Sequence, residues 1–291
     1  MTRLIHVCGP ARTGTTSVGL ALGQAPEAFY SGEVHAYFRP FRSHHWAPAC
    51  SCRKRPCPVW RELEGGRAAD FVPQAAERLG VDYVIDSSGD LPWLLDHHRW
   101  GNKWGYEILN IFTWKEPLDL AYSQWKRGRP VERALQVFES HYGRLLDLGV
   151  PFVSLEIGAC GRAPQDYLKR LCAITGVPYR EGMEELNGEA HFFFGSGGVQ
   201  ERLQEPGFSL GGEGARPAYP AEFEEVARGL AHHIDSHPRL QAIIQSLRDR
   251  DLFRVAPGQV DCRPVAPRSR PLWYYKLRGY RALRRFVPER Y

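Results

Sequence analysis

The sequence lacks several features that define large classes of proteins. No apolar run approaches the roughly 20 residues that a membrane-spanning helix requires. An apolar, strand-like run begins at residue 3 with no charged and apolar leader before it, which predicts a cytoplasmic rather than a secreted protein. Seven cysteines, an odd number in 291 residues, fit a reducing compartment better than a disulfide framework. A hydrophobic fraction of 43% excludes a disordered chain.

The chain also lacks diffuse positive charge. Its formal net charge is +5, but residues 261–291 hold nine basic and only two acidic side chains. Residues 1–260 therefore carry a net charge of about −2, so bulk charge does not predict a nucleic-acid partner. The basic character belongs to a tail, which a linker rich in proline and arginine at 255–271 joins to the rest of the chain.

The order of sequence patterns predicts an α/β fold. Short apolar runs at 3–8, 82–86, 107–113 and 151–155 predict strands, and helical patterns occupy 118–127, 132–148, 164–175 and 221–249. This alternation favours a P-loop-type parallel sheet with helices on both faces, in one domain over 1–254, followed by a C-terminal helical extension over 255–291. Two irregular stretches interrupt the domain, a cysteine-rich insertion at about 40–60 and a glycine-rich loop at about 195–218.

The strongest motif is the segment Gly9-Pro-Ala-Arg-Thr-Gly-Thr-Thr16, between a predicted strand and a predicted helix. A nucleotide phosphate loop reads G-x-x-x-x-G-K-[ST] in this setting, but here Thr15 replaces the lysine. The backbone amides and the helix N-terminus can still bind an anion, and Arg12 supplies a cation from inside the loop. Such a loop suits a nucleotide that ends at its 5′-phosphate better than it suits a triphosphate.

This loop resembles the 5′-phosphosulfate loop of sulfotransferases that use 3′-phosphoadenosine 5′-phosphosulfate (PAPS), especially bacterial members. The resemblance implies that the phosphosulfate is held by Arg12, Thr13, Gly14, Thr15, Thr16 and Ser17. A second segment, which begins Lys115-Glu-Pro after a predicted strand, resembles the family's 3′-phosphate motif, with Ser123 at the expected spacing. Lysine in place of the family's arginine keeps the charge and loses bidentate geometry. The resemblance implies that Lys115 and Ser123 hold the 3′-phosphate.

A third match concerns the chemistry. In tyrosylprotein and related sulfotransferases, a Gly-Glu pair at this distance from the loop supplies the catalytic base, and here Ser31-Gly32-Glu33 resembles it. The resemblance implies that Glu33 takes the proton of the acceptor hydroxyl, with His35 as an alternative base. A carboxylate near the phosphosulfate can serve if burial raises its pKa. Arg12, together with the loop, would then stabilise the charge that grows on the leaving phosphate.

Weaker similarities to the family follow along the chain. Asp86-Ser87-Ser88 resembles a strand-end motif of bacterial members, although Gly89 stands where those members have lysine. Glu156 lies in a segment that resembles a structural element of the family. His191 and the stretch 195–202 resemble a late element that closes over the nucleotide, with Arg202 directed to a phosphate.

Two features lie outside this resemblance. Cys50, Cys52 and Cys57, with His44 or His45, could form a tetrahedral zinc site, but the spacing is not paired C-x2-C and favours free thiols or a redox pair. The family resemblance implies no metal at the reacting centre. In the tail, one helical face is predicted to carry Trp273, Leu277, Tyr280, Leu283 and Val287. Docking of this face on the body is favoured over peripheral membrane contact and over a partner or polyanion.

Together these patterns predict a sulfotransferase that moves a sulfuryl group from PAPS to a hydroxyl of a carbohydrate, lipid or natural product and releases 3′,5′-ADP. One alternative is a P-loop kinase with a divergent loop, which the missing lysine and the lack of an obvious Mg²⁺-binding acid after 107–113 disfavour. The other is a non-catalytic adaptor that binds nucleotide or lipid and uses the basic tail.

Overall fold

The computed structural model of the chain describes residues 1–186, 189–203, 205, 207–210, 219–265 and 271–284. Its five strands are β1 (Arg3–Cys8), β2 (Ala28–Tyr30), β3 (Tyr83–Asp86), β4 (Glu107–Trp114) and β5 (Val153–Glu156). The helices before β4 are α1 (Thr15–Leu22), α2 (Val34–Phe38), α3 (Pro58–Glu62), α4 (Phe71–Leu79) and α5 (Leu91–Trp104). Those after it are α6 (Pro117–Trp125), α7 (Glu132–Asp147), α8 (Ile157–Arg162), α9 (Pro164–Thr175), α10 (Gly197–Arg202), α11 (Ala221–Ser236), α12 (Pro238–Asp249) and α13 (Leu272–Arg284).

The strands form one sheet in the order β2-β3-β1-β4-β5, and every neighbouring pair is parallel. The predicted α/β class, with a parallel sheet and flanking helices, is therefore confirmed. Because β1 lies in the centre with β3 on one side and β4 on the other, the chain reverses its direction of winding there. Ligands of open parallel sheets bind outside the carboxyl ends of the strands at such a point.

Apolar residues of the strands alternate between the two faces of the sheet. One face presents Ile5, Val7 and Ile85 to a core that α1 and α9 complete. The other face presents Leu4 and Phe112 to cores built with α4, α5, α6, α7, α11 and α12. The central strands are buried on both sides, which is why they are largely apolar runs in the sequence.

The second face also buries polar side chains. His6, Asp86 and Asn110 occupy its centre and face His97 and His98 of α5. The Asp86 carboxylate accepts hydrogen bonds from Trp93 Nε1 at 2.6 Å and from the Ser88 amide at 2.8 Å. Burial acts to raise the pKa of Asp86, but the nearby His97 and His6 rings hold it below the usual range. Asp86 is thus an ionised anchor that fixes the strand end at which Ser87 and Ser88 emerge.

The segment after α12 is attached to the body. The Cys262 carbonyl accepts a hydrogen bond from the Ile108 amide at 2.7 Å, along the part of β4 that β5 leaves unpaired. In α13, Tyr274 is fully buried, and its hydroxyl donates to Asp96 of α5 at 3.1 Å. Of the predicted apolar face, Tyr280 is 54% and Leu283 69% exposed, while Val287 lies outside the described residues. The described part of the tail helix therefore docks through Tyr274 and through Trp273 of the predicted face, which packs against the core, while the distal part of that face is exposed.

None of the helices in the described ranges is both long enough and apolar enough to cross a bilayer.

Candidate active site

The phosphate loop follows β1 at the centre of the sheet. Arg12 and Gly14 both adopt left-handed backbone conformations, with φ of 81° and 80°. A Cβ atom on Gly14 would lie 2.5 Å from Cγ1 of Ile157, so this position requires glycine for its conformation and for its space. Gly14 precedes the first residue of α1, and no side chain of the described residues caps that helix N-terminus. The first-turn amides thus remain available to an anion.

The hydroxyls of the loop have different surroundings. The Thr13 hydroxyl is buried and donates to the Pro10 carbonyl at 2.8 Å, so it shapes the loop. Thr16 Oγ1 accepts a hydrogen bond from the Ser196 amide at 3.0 Å. Thr15 and Ser17 are partly exposed at the start of α1.

The late glycine-rich segment lies against this loop. Besides the bond from its amide to Thr16, Ser196 accepts a hydrogen bond from Arg12 Nη1 to its hydroxyl at 3.2 Å. Ser196 was not among the predicted site residues, because a serine in a glycine-rich stretch carries no distinct sequence signal. The Arg202 guanidinium pairs with Glu205 at 2.9 Å and lies over the Phe208 ring. Its predicted phosphate contact stays a prediction, and residues 211–218 of the predicted loop lie outside the described residues.

A second cation stands at the next strand end. Lys115 directly follows β4, and β4 pairs with β1, so Lys115 lies near the loop. Burial and the positive charge of Arg12 lower the pKa of Lys115. Two cations that repel each other across a partly buried space form a favourable site for an anion.

Ser123 lies on α6, as the spacing predicted. It is buried, and its hydroxyl accepts a hydrogen bond from Arg127 Nη1 at 3.3 Å. Arg127, which lies in the turn after α6, adds a guanidinium next to Ser123 that the sequence motifs do not single out. Its one sequence signal is its place four residues after Ser123, inside the segment 118–127 where the pattern predicts a helix.

Glu33 follows β2 on the other side of the loop. Its backbone amide donates to the Phe193 carbonyl at 2.9 Å, which fixes the segment to a strand-like stretch far along the chain. Burial raises the pKa of Glu33 to about 7, and nearby Asp86 adds to this while Arg42 opposes it. A carboxyl group with such a pKa is suited to proton transfer near neutral pH.

Tyr30 connects Glu33 with the loop. Its hydroxyl lies 2.8 Å from Ser87 Oγ, and burial raises its pKa well above the usual range. The Thr16 hydroxyl lowers the pKa of the Tyr30 phenol, and the negative charge of Glu33 raises it. Tyr30 therefore has both the phosphate loop and the candidate base as neighbours. The alternative base, His35, is buried in α2, where its backbone amide donates to Ser88 Oγ at 3.2 Å.

Two further segments that resemble family motifs have structural roles. Glu156 caps the N-terminus of α8 by accepting hydrogen bonds from Gly158 and Ala159 at 2.8 and 2.6 Å. Gly89 follows the Asp86 motif, and a Cβ there would lie 3.0 Å from the Gly9 carbonyl oxygen, so the backbone approaches the phosphate loop closely at this position.

The cysteine cluster has a different fourth member from the one predicted. Potential ligand atoms of Cys50, Cys52, Cys57 and His191 all lie within 4.8 Å of one another. His191 therefore belongs to this cluster, and its part in an element that closes over the nucleotide stays a prediction. The ring of His45 instead packs against Phe41 and Phe194. Proximity in sequence favoured His44 and His45, whereas the fold brings a distant histidine to the cysteines.

No protein-family model and no curated protein matches the chain. Among solved structures, it is similar to the sulfotransferase domain from the olefin synthase of Synechococcus PCC 7002, with a TM-score of 0.52 and 16% sequence identity. That match covers 79% of this chain and 94% of the other. The chain has the fold of that domain. A sulfotransferase domain from the curacin biosynthetic pathway also matches, with a TM-score of 0.48 and 15% identity over 79% of this chain and 97% of that one.

Proposed function

We propose that this protein is a sulfotransferase that transfers a sulfuryl group from PAPS to the hydroxyl of an acceptor and releases 3′,5′-ADP. The observation that carries the proposal is the convergence of three groups at the carboxyl edge of the sheet. These are an anion-binding loop with Arg12, a second cation at Lys115, and a carboxyl group, Glu33, whose pKa is raised to about 7. The fold shared with a sulfotransferase domain supports the same function.

The donor set fits a nucleotide with two separate phosphate groups. The open first turn of α1, the Thr15 and Thr16 hydroxyls and Arg12 would hold the 5′-phosphosulfate. Lys115 and Ser123, with Arg127 beside Ser123, would hold the 3′-phosphate. When bound, PAPS supplies the sulfuryl group that is transferred.

The residues of the chain would then divide the chemistry between them. Glu33, as a carboxylate, accepts the proton of the acceptor hydroxyl as the new oxygen–sulfur bond forms. The sulfur–oxygen bond to the 5′-phosphate breaks, and its electron pair stays on the phosphate oxygen. Arg12 and the amides of the loop would stabilise the charge that develops there.

Acceptors of the carbohydrate, lipid or natural-product classes all offer the hydroxyl that this chemistry needs. We further propose that the enzyme is cytoplasmic and that its basic tail makes peripheral contact with membranes. This contact would use α13, whose Leu272, Tyr275 and Tyr280 are exposed.

Thermal shift of the full chain tests the proposed donor. A ligand that binds only the folded state raises the melting temperature in proportion to the logarithm of its concentration over its dissociation constant. We expect 3′,5′-ADP to stabilise the protein and ATP–Mg²⁺ to leave it nearly unchanged. Stronger stabilisation by ATP–Mg²⁺ would favour the kinase alternative and contradict the proposal.

A further inference from the structure

The cysteine cluster joins two segments that lie far apart in the sequence. Cys50 forms a β-bridge with Phe193, and the Ser51 amide donates to the Phe192 carbonyl at 3.0 Å. Trp60 Nε1 donates to the His191 carbonyl at 3.0 Å. Backbone and indole hydrogen bonds therefore hold the cysteine-rich insertion against the stretch around 190–194, independently of any bond between the thiols.

Within this contact, four soft or borderline ligands converge. The sulfur of Cys57 lies 3.4 Å from Nδ1 of His191, and the ligand atoms of all four residues lie within 4.8 Å of one another. Bond lengths of about 2.3 Å to sulfur and 2.0 Å to nitrogen place the ligand atoms of tetrahedral zinc roughly 3.5 to 3.8 Å apart. The cluster is thus close to the dimensions that zinc requires. Its three cysteines and one histidine form a Cys₃His set, which is a known ligand set of structural zinc sites.

The surroundings also suit a structural metal. Cys50 and Cys57 are buried, and all three cysteines of the cluster are free thiols. Nε2 of His191, the ring nitrogen away from Cys57, lies 3.6 Å from a Glu189 carboxylate oxygen. A carboxylate on the far side of the imidazole is the arrangement that orients histidine ligands of zinc.

We propose that Cys50, Cys52, Cys57 and His191 bind one structural zinc ion, which fastens the insertion to the stretch that carries Phe193. Four protein ligands leave no open position, so the ion holds structure and does not act on a substrate. The fastened stretch is the one whose Phe193 carbonyl accepts the Glu33 amide. The zinc site would therefore hold the candidate base in place from outside the reacting centre.

Metal analysis of the purified full chain, produced with zinc in the medium, tests this directly. We expect about one zinc ion per chain in the unmutated protein, and a loss of most of it in Cys57→Ser and His191→Asn. Cys262→Ser and His44→Asn are matched controls and should keep their zinc, because neither residue belongs to the cluster. His44→Asn also tests the histidine that proximity in sequence favoured as the fourth ligand. An unmutated chain without zinc, or full zinc in Cys57→Ser, would overturn the proposal.

Two further measurements stay informative if a ligand variant fails to fold. His191→Cys should retain zinc, because four thiolates also form a tetrahedral site. Replacement of zinc by Co²⁺ in the unmutated chain should give the intense visible bands of tetrahedral cobalt together with thiolate-to-cobalt charge transfer. A weak, octahedral cobalt spectrum would contradict a Cys₃His site. None of these readouts depends on sulfuryl transfer, so their outcome is separate from that of the proposed function.

Discussion

The backbone amide of Glu33 donates a hydrogen bond to the carbonyl of Phe193 at 2.9 Å. This contact ties the candidate base to the stretch that leads from the cysteine cluster to the loop over Arg12 and Thr16. Gly32, directly before the base, forms a bridge with the same Phe193 and has a φ of 76°. The candidate base, the phosphate loop and the cysteine cluster therefore all contact one segment, residues 191–196.

The pH dependence of the reaction should report the pKa of Glu33. A base acts in its deprotonated form, and burial raises the pKa of this carboxyl to about 7. We therefore expect kcat/KM to rise as pH increases through about 7 and then to level off. The positive charge of Arg42 lowers this pKa, so Arg42→Gln should move the rise to higher pH. The exposed Arg61→Gln serves as the control, and a rise that stays in place in Arg42→Gln would argue against Glu33 as the titrating base.

Gly14 should be among the least replaceable residues of the phosphate loop. Alanine there would be strained at a φ of 80°, and its Cβ would lie 2.5 Å from the Ile157 side chain. Overpacking of this kind costs about 1–3 kcal/mol. Denaturant unfolding should show that loss in Gly14→Ala together with weaker nucleotide binding. Gly80→Ala, at a φ of 66° with open space around it, is the matched control for left-handed strain alone, and equal losses in both would contradict the packing argument.

The sequence was sufficient to locate the central strands and the loop between β1 and α1, because buried parallel strands are short apolar runs. It did not reveal β2, which has only three residues, or α5. In α5 the buried side includes Asp96, His97 and His98, so polar residues interrupt the apolar pattern that identifies a helix. The pattern over 221–249 also predicts one helix, whereas the structure divides it into α11 and α12 at His237-Pro238.

The candidate site could be predicted where its chemistry lies in contiguous motifs, as for Arg12, Lys115 and Glu33. It could not be predicted where partners come together only through the fold. Ser196 over the loop and His191 among the cysteines are examples, since each meets its partners across more than a hundred residues.

Lys115 should discriminate between nucleotides by their 3′-phosphate. Hydrogen bonds to charged groups contribute about 1.5–3 kcal/mol, so Lys115→Ala should weaken 3′,5′-ADP binding by roughly 10- to 100-fold. Binding of 5′-AMP should change little, because that ligand lacks the 3′-phosphate. Titration calorimetry with both nucleotides measures the difference, and the exposed Lys103→Ala is the control. Equal weakening of both nucleotides would place Lys115 at the 5′ end instead.

The docking of α13 should depend on Tyr274 rather than on the outer face of the helix. Tyr274→Phe removes the hydrogen bond to the Asp96 carboxylate and the one from Arg278, and should cost about 1.5–3 kcal/mol of folding stability, the usual range for hydrogen bonds to charged groups. Tyr274→Ala also empties a buried site and should cost about 3–5 kcal/mol. Tyr280→Ala is the matched control, since that ring is 54% exposed and should be near neutral in thermal or denaturant unfolding. A large loss in Tyr280→Ala would show that the helix docks through its other face.

Transfer of label from [³⁵S]PAPS tests the central proposal most directly. The full chain is incubated with labelled PAPS and an extract that contains carbohydrate, lipid and small-molecule hydroxyls, and the sulfated products are separated and identified. We expect labelled product with the unmutated protein and with the exposed control Glu77→Gln. With Glu33→Gln we expect a loss of roughly 10²- to 10⁴-fold, the usual contribution of a general base. Absence of labelled product with the unmutated protein, or undiminished transfer by Glu33→Gln, would contradict the assignment of Glu33 as the base of a PAPS-dependent sulfotransferase.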